Sequence, residues 1–486
     1  MSKQTVTGRH DETTGPRRGT VTPTMGRGLG ALRTAMTGRV LDPTDDEYET
    51  ARTVWNADIN RRPTVIAECA SAADVAAAIR FGTEQGLEIA VRGGAHSTAG
   101  ASVVDDGLTI DLRRLNDITV DSVVKRASVG GGALLREMDA ATQAHGLAVP
   151  SGLVGHTGVG GLALGGGMGW LSRRHGLTLD NLLAAEIVTA DGQIRRATAE
   201  ENSDLFWAIR GGGGNFGVVT NFEFRAHKVG PIVQFALLFW GADEGNEALR
   251  SMRDVIHDLP RDVNVVVACM SAPPAPFVPE EHHFTPGYAA LVTGFGSAEE
   301  HAAVAGALRA RLAPLFEFVT PMPYVDVQQL LDEANAAGQF YYDKGADLAD
   351  LSDDVIGVVT DHMQRRSSPM SIALFYPLGG AFSEVGEDDT AFGGARTPHH
   401  SLVMSGVALD PEVLATERAW ARSFWEALQP LASGIGSYVN LMTEVEPDRV
   451  RASYGPAKYG RLAGIKAKYD PGNVFHHNAN IKPAAD

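Results

Sequence analysis

Residues 155–170 read Gly155-His-Thr-Gly-Val-Gly-Gly-Leu-Ala-Leu-Gly-Gly-Gly-Met-Gly-Trp170, with glycine at eight of sixteen positions. An ordinary turn needs one or two glycines, so this density asks for another cause. A backbone without side chains lets a large flat or phosphorylated ligand come close, or takes positive φ angles. Two shorter runs flank it, Val91-Arg-Gly-Gly-Ala-His96-Ser-Thr-Ala-Gly100 and Arg210-Gly-Gly-Gly-Gly-Asn215-Phe-Gly217. Together they draw on a glycine count of 55 in 486 residues, above the usual share of about 7%.

Working outward, Glu88–Arg92 is a short strand that runs straight into Gly93-Gly94. A strand ending in such a turn presents successive backbone N–H groups, a nest suited to a pyrophosphate. His96 on that loop would lie beside whatever the phosphates bring; the plainer alternative is a loop histidine that caps backbone groups. Gly212, Gly214 and Gly217 match G-x-G-x-x-G literally, but a dinucleotide fingerprint follows a strand and opens a helix. Here a capped helix over 202–210 precedes the run and the alternating strand Val218–Arg225 follows, which excludes a Rossmann turn. Arg173, Arg174 and His175 read as a solvated helix face.

Further elements are expected as a helix over 71–86 and strands at Leu108–Leu112 and Ala184–Thr189. To about residue 228 the pattern is mixed α and β. From about 231 longer alternating runs appear, at Ile232–Phe239, Val263–Met270, Tyr288–Gly294 and Met370–Tyr376, with helices over 298–312 and 411–431. Strands and helices in blocks give an α+β class.

Composition narrows the function classes. A formal charge of −17 argues against nucleic acid and anionic membrane surfaces, both of which need clustered Lys and Arg. Two cysteines, Cys69 and Cys269, allow no disulfide framework and read as small buried apolar residues. The histidine pairs at 282–283, 399–400 and 476–477 lack metal-ligand spacing, so no metal site is expected. No apolar run is long enough to span a bilayer. The first 30 residues read as a flexible tail; Arg17-Arg18 lacks the apolar stretch of an export signal, and a cytoplasmic location is expected.

The three runs, with Tyr438-Val-Asn440, Arg451-Ala-Ser-Tyr454-Gly, Lys466-Ala-Lys-Tyr-Asp-Pro471-Gly-Asn473-Val-Phe and Asn478-Ala-Asn480-Ile, resemble the berberine-bridge-enzyme type of FAD-linked oxidases, within the vanillyl-alcohol-oxidase group. The runs are also similar to those of a bacterial subgroup that includes the flavoprotein of enterocin biosynthesis. The resemblance covers about residues 50–486. It implies a leader at 1–50, a PCMH-type FAD domain in two pieces, 51–230 and 438–486, and a substrate domain of antiparallel sheet and helices at 231–437. It implies FAD joined once, through His96, with contacts from Arg92, Gly93, Gly94, Ala95, Ser97, Thr157, Gly158, Gly160, Gly161, Gly167, Gly214, Asn215, Gly217, Val218, Val219, Asn478 and Asn480. Thr157, Tyr438 and Asn440 would carry the catalysis.

Two departures from the family pattern shape the reading. Val154 stands where many relatives hold a second, cysteinyl link to the flavin. Leu441 stands where many carry a tyrosine base, so a substitute is sought among Tyr341, Tyr342, Lys344 and Tyr376. The expected activity is oxidation of a small organic substrate by hydride transfer to flavin, with O₂ reduced to H₂O₂. The alternatives are oxygen insertion by a flavin oxygenase, with Thr157 at the flavin edge, and a non-catalytic flavin carrier. The substrate and the oligomeric state are left open.

Overall fold

A computed structural model describes residues 23–485. Its first sheet holds β1 (Arg39–Leu41), β2 (Val65–Glu68), β3 (Ile89–Arg92) and β4 (Leu108–Asp111) in the order β1-β2-β4-β3. β2, β4 and β3 run parallel, and β1 is antiparallel to β2. The connection from β2 to β3 is the helix Ala72–Glu84, where Ser71 accepts a hydrogen bond from the Asp74 N–H and so caps it.

A five-stranded antiparallel sheet follows, built from β5 (Ile118–Asp121), β6 (Arg126–Gly130), β8 (Leu182–Val188), β9 (Ile194–Thr198) and β10 (Val218–Arg225). Between β6 and β8 the short β7 (Leu147–Ala148) leaves to pair with β11 (His227–Lys228). The helical segment Pro447–Tyr469, broken at Gly455 (φ +70°) just before Pro456, comes back from the far end of the chain to cover this sheet. Its Val450, Tyr454 and Leu462 share one apolar cluster with Ala185, Ile187 and Phe222 of β8 and β10.

The third sheet is entirely antiparallel. It contains β12 (Ile232–Gly241), β13 (Val263–Ser271), β14 (Pro286–Gly294), β15 (Phe316–Pro323), β16 (Phe340–Leu348), β17 (Ile372–Leu378) and β18 (His399–Ala408), in the order β15-β12-β14-β13-β17-β18-β16. Successive side chains of a strand point to opposite faces, and β12 shows the consequence. Ala236, Leu238 and Trp240 pack with the helices Gly245–His257, Ala298–Arg311, Asp353–Met363 and Pro411–Leu428. Phe235, Leu237 and Phe239 pack on the other face with Leu153, just before the glycine-rich run, and Trp170 at its end. The sheet is therefore a wall between its own helices and the glycine loops.

The expected strands and helices are all present, and Ser297, Ser352 and Asp410 cap three of the covering helices. Two expectations need correction. Residues 1–22, including Arg17-Arg18, lie outside the described residues, but Pro23–Ala35 is a helix, not a tail. Its Leu29 and Leu32 are buried with Val75 and Phe81, so an apolar pair three residues apart outweighs the glycine-rich composition. The other concerns the helix after the glycine run. Arg173 donates to the Leu259 carbonyl at 2.8 Å, Arg174 pairs with Asp262 at 3.1 Å, and His175 stacks on His227 at 3.8 Å. These side chains join parts of the chain; they are not a solvated face. Cys69 and Cys269 are buried free thiols. Among the described residues, no helix is long and apolar enough to cross a membrane.

Candidate active site

A cavity of about 640 Å³ lies where the glycine loops, the C-terminal segment and the third sheet meet. The β3 strand delivers the loop Gly93–Ser97 to its rim. Arg92, at the end of β3, is buried and turned away from the cavity, toward Asp111 3.6 Å from its Nε. It donates to the carbonyls of Ala51 and Thr53, the latter at 2.7 Å. That bracing fixes the segment carrying Trp55, whose indole stacks on His96 at 4.2 Å and on Tyr341 at 3.7 Å. Arg92 thus acts on the loop by positioning it.

His96 faces the cavity with Nε2 2.7 Å from Nδ1 of His156, whose Nε2 lies 3.3 Å from the Asp332 carbonyl. Burial lowers the His96 pKa to about 3, with the neighbouring His156 adding to the effect. The imidazole is therefore neutral at physiological pH and keeps a free lone pair.

The glycines divide into two kinds. A Cβ on Gly94 would come within 2.3 Å of the Gly158 backbone nitrogen, and one on Gly158 within 2.3 Å of the Gly94 nitrogen. One on Gly160 would be 2.8 Å from the Gly131 carbonyl. These residues let two loops touch. Gly161 and Gly214 are different, since a Cβ there would enter open space, with nothing near Gly161 and only Asn478 at 3.9 Å from Gly214. Gly214 and Gly161 both line the cavity, so added side chains would fill it. Asn478 lines the same wall, and its buried Oδ1 lacks a hydrogen-bond partner among the described residues. Open glycines, an orphaned amide oxygen and a neutral histidine fit a large planar, hydrogen-bonding cofactor.

Most other expected contacts also line this space: Gly93, Ala95, Ser97, Thr157, Asn215, Gly217, Val218 and Val219. Three expected residues stand apart. Arg92 braces residues 51–53 as described. Gly167, at φ +85°, is packed against Thr178. Asn480 does not line the cavity, and its buried Oδ1 has no partner among the described residues.

Of the expected catalytic residues, Thr157 faces the cavity and its hydroxyl has no hydrogen bond to the protein among the described residues. Tyr438 accepts hydrogen bonds at 2.8 Å from the Gly167 N–H and at 2.8 Å from Asn440 Nδ2. Burial raises its pKa to about 12. Asn440 also donates to the Gly161 carbonyl at 3.2 Å. Both side chains hold the glycine run in place while lining the cavity.

The four candidate bases separate by strand parity. Tyr342 and Lys344 point to the helix side, where Lys344 pairs with Glu444 at 2.6 Å. The hydroxyl of Tyr341 is spent on the Ala336 carbonyl and Gln339. Tyr376 alone lines the cavity with a hydroxyl free of protein partners among the described residues, its pKa raised by burial. Reading the sequence missed Asp343. It lies between Tyr342 and Lys344 but faces the cavity and accepts a hydrogen bond from Ser405 at 2.6 Å. Burial raises its pKa to about 6, against the opposing hydrogen bonds of Ser405 and Thr98. Alternation along β16 is the signal that would have found it.

Comparison with known proteins identifies the class. A family described as an FAD binding domain matches residues 63–198, and one described as berberine and berberine like matches 437–482. An FAD-linked oxidoreductase of Dictyostelium discoideum is 30% identical over 432 residues, covering 88% of this chain and 91% of that one. The chain belongs to the berberine-bridge-enzyme-like FAD-linked oxidoreductases, and it is an enzyme of the PCMH-type oxidase fold. (R)-6-hydroxynicotine oxidase of Paenarthrobacter nicotinovorans is 29% identical, covering 92% of this chain and 97% of that one. The crystal structure of 6-hydroxy-D-nicotine oxidase from Arthrobacter nicotinovorans superposes with a TM-score of 0.83 at 27% identity, covering 92% and 98%. A glucooligosaccharide oxidase of Acremonium strictum, whose FAD is 6-S-cysteinyl and 8α-N1-histidyl, shares the fold at 23% identity and a TM-score of 0.81, covering 94% and 100%.

Proposed function

We propose that this chain oxidises a small organic molecule in the cytoplasm by hydride transfer to an FAD bound covalently, and only once, through His96, with O₂ as acceptor and H₂O₂ as product. The flavin would be held by residues 51–230 and 438–486, and the substrate by 231–437. The observation that carries this reading is the cavity itself. A neutral His96 stands on one wall, and Asp343 and Tyr376 of the third sheet stand on another. When bound, FAD would supply a two-electron acceptor for a hydride taken from carbon. The protein's part would be to hold it through His96, Ser97 and Asn478, to exclude water with Leu374, Val403 and Leu441, and to present polar groups to the substrate. The test is peroxide production, with one H₂O₂ formed per molecule of substrate oxidised. No peroxide with any oxidised substrate would overturn it.

A second reading, oxygen insertion, is favoured by one observation. The Thr157 hydroxyl faces the cavity unpaired among the described residues, a donor and acceptor free to meet an oxygen species. Isotope-labelled O₂ separates the two readings, because only an oxygenase places label in the product.

A further inference from the structure

Among the described residues Asp343 is the one carboxyl that lines the cavity, and its surroundings suit a group that changes protonation during turnover. Ser405 on β18 donates to it at 2.6 Å, and Thr98 reaches it from the loop after β3. Its backbone N–H donates to the Thr443 hydroxyl at 2.8 Å, which lays the C-terminal segment alongside β16. Two residues along β16, a Cβ on Gly345 would be 3.2 Å from that of Leu441. The carboxyl therefore stands beside the segment in which a leucine occupies the place of a titratable side chain. The titratable groups facing it are Tyr376 from β17 and Tyr341 from its own strand. The adjacent cation, Lys344, points to the opposite face and is held by Glu444. Around the carboxyl the walls are aliphatic, from Ile372, Leu374, Val403 and Leu441.

We propose that Asp343 is a catalytic residue, the acceptor of the substrate's proton, and that the substrate is an apolar molecule bearing an O–H or N–H on the carbon that is oxidised. This rests on the oxidase reading above. The C–H bond breaks with both electrons, which leave as hydride to the flavin. The O–H or N–H bond breaks toward Asp343, its electron pair forms C=O or C=N, and the carboxyl returns the proton to water. The substrate loses two electrons and two hydrogens, and the flavin gains the two electrons. A carboxylate whose pKa sits near working pH is suited to this task. Asp343, with its pKa raised to about 6, is charged at neutral pH yet readily protonated.

The experiment uses flavin-loaded full chain as wild type, Asp343→Asn and Ser405→Ala. Sulfite, an anion that adds to oxidised flavin, is titrated at pH values from about 5 to about 8. An ionised Asp343 opposes it, so wild-type affinity should fall about tenfold as pH rises through the carboxyl's pKa. Asp343→Asn should lose that fall. Ser405→Ala removes a hydrogen bond to the charged form, so the fall should move to higher pH. Ser405→Ala also decides the matter should Asp343→Asn fail to fold. Anaerobic bleaching by 4-methoxybenzyl alcohol or 4-methoxybenzylamine, each an apolar molecule with an O–H or N–H on the carbon to be oxidised, is the kinetic arm. Any compound that reduces the wild type should reduce Asp343→Asn about a hundredfold more slowly, without the rising limb near the carboxyl's pKa. Sulfite curves that coincide in all three proteins, or an undiminished Asp343→Asn rate, overturn the proposal. A wild type that neither binds sulfite nor is reduced fails the oxidase reading and takes the assignment with it.

Discussion

His96 Nε2 and His156 Nδ1 lie 2.7 Å apart, and the far nitrogen of His156 is 3.3 Å from the Asp332 carbonyl. A carbonyl can only accept, so His156 carries its proton on Nε2 and its Nδ1 accepts from His96. His96 then holds its own proton on Nε2 and offers Nδ1 as the lone-pair nitrogen. We expect the flavin to be joined at Nδ1 and to remain with the polypeptide after acid precipitation. His96→Ala should release it into the supernatant. His156→Phe removes the acceptor that selects the tautomer, and the acid-stable fraction should fall severalfold. Flavin released in acid by the wild type would disprove the bond, and full loading of His156→Phe would remove the relay.

The flavin should be attached once. Val154 lines the cavity but offers no nucleophile, and Cys69 and Cys269 are fully buried in separate apolar clusters with thiol pKa values raised by burial. Mass spectrometry of a digest should therefore find FAD on the peptide that contains His96 and on no other. Flavin on a peptide around Val154, or on either cysteine, would show that the cavity has been read in the wrong orientation.

Thr157 tests oxygen use. Its hydroxyl faces the cavity without a partner among the described residues, while its backbone N–H and carbonyl are occupied by Val154 and Leu135. Valine keeps the shape and removes the hydroxyl. Losing one hydrogen bond of this kind costs ~1–3 kcal/mol, or about ten- to a hundredfold in rate. Thr157→Val should slow stopped-flow reoxidation of photoreduced enzyme by that factor, with FAD still attached. Thr157→Leu should slow it further by filling the space. Wild-type rates in both variants would show that Thr157 only packs.

Much of the fold is legible because caps and alternation are local signals. Ser71, Ser297, Ser352 and Asp410 mark helix starts, and β10, β12 and β13 alternate or run apolar over eight to ten residues. The glycine runs were legible as close approach, but not in what approaches: Gly94 and Gly158 face each other, while Gly161 and Gly214 face the cavity. His96 and Thr157 could be placed because each sits within such a run. Asp343 could not, because its role depends on the parity of β16 and on β17 and β18 arriving beside it. Trp55 and His156 were hidden for the same reason, since each matters only through a neighbour at least 41 positions away.

The last expectation concerns stability against pH, and it turns on Asp139. This residue is fully buried on the helix Leu135–Gln143. Gln328 donates to its Oδ2 at 3.0 Å, and its Oδ1 has no partner among the described residues. Burial raises its pKa to about 7, Gln328 opposes the shift, and the charge of Asp332 adds to it. In the unfolded chain an aspartate titrates near pH 4. The folded value is the higher one, so folding favours the protonated form. That contribution is complete below about pH 4 and is lost as pH rises to about 7. Three pKa units correspond to at most ~4 kcal/mol, an upper bound for a group that can relax or admit water. Asp139→Asn keeps an oxygen for Gln328 and cannot ionise. Its melting temperature should match the wild type at acid pH and exceed it above about pH 7, the gap opening across that window. Other groups also titrate there, Asp343 among them, but they are common to both proteins and cancel in the difference. Parallel melting curves across the whole range would mean that Asp139 is neutralised in the fold by a contact other than burial and Gln328.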